Sequence, residues 1–120
     1  MKADWDRIML YSEEPEHEGK IPDGFLVASH KPDGCGDRVR FGVLLEDGII
    51  KRVVFEHEGC MFSKAVAEFI SSLLEGSAPR KIDVESIIEE FGRSALSRPG
   101  CVEASLVAAN NVIDLLSQTS

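Results

Sequence analysis

The sequence predicts an α+β fold, a small antiparallel β-sheet of about three strands packed on one face by helices. Two observations predict it. Strand-like patterns end at residue 58, and apolar spacings of three and four residues then run from residue 60 to 117. Strands that precede helices, instead of alternating with them, are typical of α+β proteins. With 120 residues, the chain 1–120 is expected to form a single domain with one modest core.

Three segments carry the strand patterns, at 25–30, 37–47 and 49–58. The middle strand alternates apolar and polar residues, which is the period of a half-buried strand. Its inward-facing residues are predicted to be Val39, Phe41, Val43 and Leu45. The Glu-Asp-Gly sequence at 46–48 predicts a tight hairpin turn into the third strand, whose facing is ambiguous because residues 53–55 are all apolar.

Helices are predicted on both sides of the strand segments. A short amphipathic helix at 4–11 should bury Trp5, Ile8 and either Met9 or Leu10, and a charged loop follows it. Three further helices are predicted after the sheet, at 60–75, 83–92 and 101–117. A Ser-Arg-Pro-Gly break at 97–100 should separate the last two.

The composition excludes several classes of function. The net charge is −8, and an acidic surface repels a phosphate backbone, so no nucleic-acid partner is expected. No apolar run approaches the roughly 18 residues of a membrane span, and the N-terminus lacks signal-peptide features. No membrane partner is therefore predicted, and the expected location is cytoplasmic. The Gly-Cys-Gly-Asp sequence at 34–37 lacks the lysine and the length of a phosphate-binding loop.

The three cysteines, Cys35, Cys60 and Cys101, are the strongest candidates for chemistry. An odd number of cysteines without an export signal favours reduced thiols, and no CxxC pair is present. Cys35 lies in the turn before a strand. Cys60 and Cys101 each follow a glycine and open a predicted helix, where the helix dipole favours thiolate. The thiolates could therefore meet as soft-metal ligands, although each could equally be a small buried hydrophobic residue.

Other side chains are weaker candidates. A general base or a further metal ligand could come from His17, His30 or His57. On such patterns, a solvated or packed histidine is the more common state. Arg98 could stabilise thiolates, but an exposed loop arginine is the simpler interpretation.

Three features of the chain occur together in one known family. They are Cys-Gly-Asp at 35–37 leading into a strand, the run EDGIIKRVVFEHEGC at 46–60, and Cys101 at the start of the last helix. Together they resemble the IscU/NifU/SufU family of iron–sulfur cluster assembly scaffold proteins. The resemblance covers nearly the whole chain and implies a SufE/NifU-like α+β fold.

The resemblance also implies a site. Cys35, Cys60 and Cys101 would be thiolate ligands of a transient iron–sulfur cluster, of the 2Fe-2S type, or of Zn²⁺. Asp37 would be an oxygen ligand or its neighbour. The implied partners are a cysteine desulfurase that supplies sulfur and apo iron–sulfur proteins that receive the cluster. The glycines at 34 and 36 would let the backbone approach the metal.

The chain departs from the family pattern between the second and third cysteines. Gly100 stands where IscU-type members carry a histidine, and Leu-Ser-Arg-Pro-Gly at 96–100 replaces their proline-rich segment. A handover to a chaperone is therefore doubtful. SufU-type members lack this histidine too, but they carry an insertion that is absent here.

The combined prediction is a non-enzymatic scaffold that assembles iron and sulfide on three cysteines and passes the cluster to apoproteins. The first alternative is a zinc-bound sulfur acceptor, a SufU-like sulfurtransferase that takes persulfide sulfur from a cysteine desulfurase. In a second alternative, the protein is a divergent relative that keeps the zinc site only for its stability. The missing histidine favours the sulfur acceptor, and the short interval between Cys60 and Cys101 favours the scaffold.

Overall fold

The computed structural model describes residues 2–33 and 36–119, with side chains at 5–33 and 36–118, and it confirms the α+β class. The elements in chain order are α1 (Lys2–Glu13), β1 (Leu26–His30), β2 (Arg38–Glu46), β3 (Ile49–Glu58), α2 (Met61–Leu74), α3 (Val84–Phe91), α4 (Arg93–Ser97) and α5 (Pro99–Thr119). The three strands form one antiparallel sheet in the order β1-β2-β3. Among the described residues, no helix combines the length and the apolar character that a membrane crossing requires.

The hairpin between β2 and β3 forms where the sequence predicts it. Glu46 pairs with Ile49, and the two loop residues, Asp47 and Gly48, both have positive φ (55° and 78°). Two-residue turns with this backbone match the right-handed twist of the flanking strands. The Asp-Gly pair therefore determines this turn locally.

The helix-facing side of the sheet carries the core. Val39, Phe41 and Val43 are fully buried as predicted, and Phe55 of β3 packs beside Phe41 with ring centroids 5.9 Å apart. The prediction that Leu45 is also buried is wrong, since it is 37% exposed. Leu45 lies at the hairpin end of the sheet, where it lines an open groove with Pro79 and Leu116.

The loop after α1 first pairs with Phe55 along the outer edge of β3 and then reaches the opposite face of the sheet. The Phe55 N–H donates to the His17 carbonyl (2.9 Å), and the Gly19 N–H donates to the Phe55 carbonyl (3.0 Å). Ile21 packs onto Gly42, where any Cβ would overlap its side chain. Val54 pairs with Gly42 and is buried under this loop, which resolves the ambiguous facing of residues 53–55.

Helix α1 packs on α2 through a face that differs from the prediction. Ile8 is buried, but Trp5 is 49% exposed, so that assignment is wrong; of the two alternatives, Met9 is half-buried and Leu10 is 72% exposed. The inward face continues instead to Tyr11, whose ring contacts Phe69 and Phe91 and whose hydroxyl donates to Glu90 (2.6 Å). Burial and this bond to Glu90 raise the pKa of Tyr11 to about 12.

The predicted break before the last helix is shorter than expected. The sequence analysis did not predict α4, and α5 begins at Pro99, so only Arg98 separates the two helices. Proline suits a first helical position because its fixed φ is helical and its missing N–H would have no partner there. Cys101 therefore lies in the first turn of α5 and not in a loop.

Candidate metal centre

Three of the four predicted site residues meet at one end of the sheet. Asp37 directly precedes β2, Cys60 joins β3 to α2, and Cys101 lies in the first turn of α5. One ligand atom from each residue lies within 4.8 Å of the other two. The sulfurs of Cys60 and Cys101 are 3.0 Å apart, and the Cys60 sulfur lies 3.2 Å from Asp37 Oδ2. Cys35 lies outside the described residues, and the ligand roles stay a prediction.

Asp37 is buried and connects the sheet to the start of α2. Its Oδ1 accepts the Cys60 backbone N–H at 2.8 Å, and its Oδ2 faces the Cys60 thiol. Burial alone would raise the pKa of the Asp37 carboxyl. Hydrogen bonds from the Cys60 amide, the thiols of Cys60 and Cys101, and Ser63 outweigh burial, so the pKa is lowered. Asp37 is therefore a carboxylate that donor groups stabilise.

The close approach of Asp37 depends on Gly59. Gly59 has φ +134°, and a Cβ built on it would overlap the Asp37 carboxylate. Only glycine combines this backbone with that contact at low cost. A Cβ on Gly36 would meet no described atom within 4 Å. Crowding therefore accounts for a glycine at position 59 but not for one at position 36. The corresponding prediction for residue 34 lies outside the described residues.

The two cysteines differ in their surroundings. Cys60 is the N-cap residue of α2, and its sulfur accepts the Ser63 backbone N–H at 3.4 Å. Cys101 is half-buried. Burial, followed by its contacts with Cys60 and Asp37, raises the pKa of the Cys101 thiol. This direction is opposite to the effect expected of a helix N-terminus, so Cys101 needs a further positive group, such as a metal ion, to become a thiolate readily.

The donor set fits a soft or borderline cation. Thiolates select metals such as zinc and iron in clusters, and the carboxylate adds a harder oxygen ligand. A tetrahedral zinc ion with the usual bond lengths would hold two sulfurs about 3.8 Å apart and a sulfur and an oxygen about 3.5 Å apart. Both separations exceed the observed 3.0 and 3.2 Å by less than 1 Å. Small side-chain rotations would therefore open the site enough for an ion.

The three histidines lie outside this group of ligand atoms. His17 lies between Glu68 of α2 and Glu75, the C-cap residue of that helix. His30 pairs with Glu103 at 2.7 Å, and His57 contacts the Ser63 hydroxyl at 2.6 Å. The backbone carbonyl of Arg98 accepts the Cys101 N–H (3.2 Å), and the residue itself is exposed. The sequence analysis did not assign roles to Gly59 or Ser63. The glycine before Cys60 and the serine three residues after this N-cap are the signals that could have identified them.

Comparison with known proteins identifies the family. The chain belongs to the NifU-like N-terminal domain family, whose profile matches residues 3–116. It is 31% identical over 85 residues to the iron–sulfur cluster assembly scaffold protein IscU of Thermotoga maritima, an alignment that covers 71% of this chain and 58% of that protein. It is 33% identical over 69 residues to the zinc-dependent sulfurtransferase SufU of Bacillus subtilis, covering 58% of this chain and 46% of that protein. The alignments thus span about half the length of these relatives.

Solved structures share the fold. A proposed iron–sulfur cluster assembly scaffold protein for the SUF system of Fervidobacterium islandicum superposes with a TM-score of 0.74 at 22% identity, covering 90% of this chain and 94% of that chain. The N-terminal part of a NifU-like protein of Brucella abortus gives a TM-score of 0.76 at 14% identity, covering 95% and 94%. At these identities the likeness concerns the fold alone.

Proposed function

We propose that the protein is an iron–sulfur cluster assembly scaffold, with iron and sulfide as its cargo. Cys35, Cys60 and Cys101 would hold the cargo as thiolates, with Asp37 as an oxygen ligand. One observation carries the proposal, namely that ligand atoms from three separate elements lie within 4.8 Å of one another. Family membership and the IscU relative of Thermotoga maritima support it.

The charges of the site support cation binding. Two thiols and a carboxylate face one another, and nothing in the Asp37–Cys60–Cys101 group is cationic. When the thiols lose their protons, the anions repel one another at this short range in a partly buried setting. A bound cation removes that repulsion, because buried charges are stable only when they are paired or coordinate a metal.

The two oxygens of Asp37 have separate environments. Oδ1 holds the Cys60 amide, which fixes the carboxylate, while Oδ2 faces the sulfurs. A hard oxygen among soft thiolates makes one comparatively weak bond to the cargo. Such a bond suits a protein that must release what it binds.

The sequence supplies the third sulfur close by. Cys35 precedes Asp37 by two residues, and two residues of extended chain span at most about 7 Å. A cysteine desulfurase would provide the sulfur, and apo iron–sulfur proteins would receive the cluster. We do not expect a chaperone handover of the IscU type, since the segment at 96–100 differs from the family pattern.

The second candidate is a zinc-bound sulfur acceptor. The observations that favour it are Gly100 in place of a histidine and the zinc-dependent sulfurtransferase SufU among the relatives. In the transfer step, a cysteine thiolate attacks the terminal sulfur of the donor's persulfide. A new S–S bond forms as the donor's S–S bond breaks, and the donor cysteine leaves as a thiolate, so no oxidant is needed.

Reconstitution without oxygen distinguishes the candidates. The scaffold should become brown when it receives ferrous iron and sulfide, should contain both in equal amounts, and should transfer them to an apo-ferredoxin. The sulfur acceptor should instead hold stoichiometric zinc that iron does not displace, and it should gain one persulfide sulfur when mixed with a loaded desulfurase. Zinc that raises the melting temperature with neither cluster formation nor sulfur uptake would refute both and leave zinc as a stabilising ion.

A further inference from the structure

A buried hydrogen-bonded pair lies directly behind Cys60. Ser63 is fully buried in the first turn of α2, and its hydroxyl contacts His57 Nε2 of β3 at 2.6 Å. The same hydroxyl donates to the Cys60 carbonyl at 3.0 Å and lies 3.7 Å from the Cys60 sulfur. The Ser63 amide donates to that sulfur at 3.4 Å. Ser63 therefore touches Cys60 at its sulfur and at its carbonyl.

Counting protons determines the direction of these bonds. A serine hydroxyl has one proton to donate. When Ser63 gives it to the Cys60 carbonyl, the 2.6 Å contact with His57 is an Nε2–H donated to the Ser63 oxygen. Rotation about its C–O bond can turn the hydroxyl proton from the Cys60 carbonyl toward the Cys60 sulfur, which lies 3.7 Å away. When Cys60 binds a metal as a thiolate, its sulfur has no proton and can accept a hydrogen bond from this hydroxyl.

The backbone of Ser63 is fixed from the other cysteine-bearing helix. Ser105 of α5 donates its hydroxyl to the Ser63 carbonyl at 2.7 Å, and both residues are fully buried. Ser105 follows Cys101 by four residues, so the two lie on the same face of α5. Ser63 is thus held by β3 through His57 and by α5 through Ser105, while it contacts the sulfur of Cys60.

We propose that Ser63 is a positioning residue for Cys60, held in place by His57 and Ser105, and that its amide and hydroxyl orient the Cys60 sulfur toward the bound metal. The inference rests on the proposed metal-binding function. It extends that function because Ser63 is not itself a predicted ligand. Groups that hydrogen-bond to metal ligands fix ligand orientation and alter the electron donation of the ligand to the metal.

The test compares three variants with the wild-type protein. Ser63→Ala removes the hydroxyl, and His57→Ala removes the group behind it while keeping Ser63. The matched control is Ser71→Ala, which removes another fully buried hydroxyl of α2 that donates only to the Ala67 carbonyl (2.8 Å). Each protein is titrated with zinc against a chromogenic chelator, loaded with Co²⁺ to record its thiolate-to-cobalt absorption bands, and unfolded by heat without metal.

Ser63→Ala should lower the zinc affinity about 10-fold, at the lower end of the 10–100-fold effects seen for groups behind metal ligands. It should also shift the thiolate-to-cobalt bands, which a purely structural serine would not do. His57→Ala should give smaller changes of the same kind, and it decides the question by the same readouts if Ser63→Ala does not fold. Ser71→Ala should match the wild type in affinity and spectrum.

Unchanged affinity and cobalt spectra in Ser63→Ala and His57→Ala, with only the melting temperature lowered, would overturn the inference. That result differs from a failure of the proposed function, in which the wild-type protein would itself bind neither zinc nor cobalt.

Discussion

Two partly buried polar clusters attach α2 to the rest of the molecule, and they differ in charge balance. In the first, the His17 ring lies between Glu68 Oε2 (2.7 Å) and Glu75 Oε1 (3.1 Å). The His17 backbone amide donates to Glu68, and the Val53 amide donates to Glu75. In the second, Asp37, Cys60 and Cys101 face one another, and all three side chains become anions when they lose a proton.

The difference indicates what each cluster does. Burial would lower the pKa of His17, but the bonds to Glu68 and Glu75 outweigh burial and raise it. This cluster supplies its own cation, and it fastens the N-terminal loop to α2 and β3. The cysteine cluster consists of acidic side chains, and burial, followed by the neighbouring Cys60 and Asp37, raises the pKa of the Cys101 thiol. A group of anionic ligands that is completed only by an added cation is the pattern expected of a metal site.

Removing one sulfur should have the largest effect. Cys60→Ser replaces a thiolate by a neutral hydroxyl, a far poorer ligand for a soft metal. We expect zinc affinity to fall by more than about 100-fold, beyond the effect of changing a group behind a ligand. Competition with a chromogenic chelator measures it.

The matched control comes from the other cluster. His17→Gln should leave zinc affinity unchanged, because its ring nitrogens hydrogen-bond to Glu68 and Glu75, neither of which belongs to the metal site. Equal affinities of wild type and Cys60→Ser would contradict a site that uses this sulfur. A loss of affinity in His17→Gln would show that the two clusters are coupled.

A methyl group at Gly59 should have the next largest effect. Gly59→Ala adds backbone strain at φ +134° and pushes against the Asp37 carboxylate. Gly76→Ala is the control, because Gly76 also has positive φ (+86°) but open space at its Cβ. Strain alone costs on the order of 1–3 kcal/mol, and the overlap should make Gly59→Ala at least about 1 kcal/mol worse than its control. Urea unfolding without metal measures both.

Zinc binding sharpens the same comparison. Gly59→Ala should weaken zinc binding because Asp37 is displaced, whereas Gly76→Ala should not. If both variants lose the same stability and both keep full zinc affinity, the Asp37 contact is not needed to shape the site.

The smallest effect should be a pH dependence of the His17 cluster. The folded-state pKa of His17 is raised above its ordinary value of 6.5, so its charged form stabilises the fold below that pH. The stabilisation should decline as the pH rises through the folded-state pKa. We expect a change of about 1 kcal/mol, because a hydrogen bond to a charged group contributes more than a neutral one by about that amount.

The measurement is the difference in unfolding free energy between wild type and His17→Gln at several pH values from 6 to 9. The advantage of the wild type should be largest at pH 6 and smallest at pH 9. A difference that is constant with pH, or that grows toward pH 9, would mean that His17 acts through packing and not through its charge.

Much of the fold could be predicted because it depends on local physics. The alternation of β2 identified Val39, Phe41 and Val43 as core residues, and the Asp-Gly turn placed the hairpin. Asp83 caps α3 by accepting the Ser86 amide, as its position before an apolar run indicates. These features depend on torsion angles, periodicity and hydrogen bonds between near neighbours.

The site could be predicted only in part. The four candidate residues followed from a resemblance in the order of motifs, but the reason for Gly59 and the contacts of Ser63 did not. Gly59 matters because Asp37, 22 positions earlier, reaches across to it, and no local pattern records that approach.

The sequence alone therefore predicted the three strands, the hairpin, four of the five helices that the structure describes and the candidate site residues. The tertiary structure decided which of them meet. Cys60 and Cys101 are 41 positions apart, and only the packing of α2 against α5 at one end of the sheet brings their sulfurs to 3.0 Å. Packing also left Trp5 exposed, placed residues 17–19 along the edge of β3 and set Ile21 on the second face of the sheet. Such contacts depend on the fit of whole surfaces, which local periodicity does not encode.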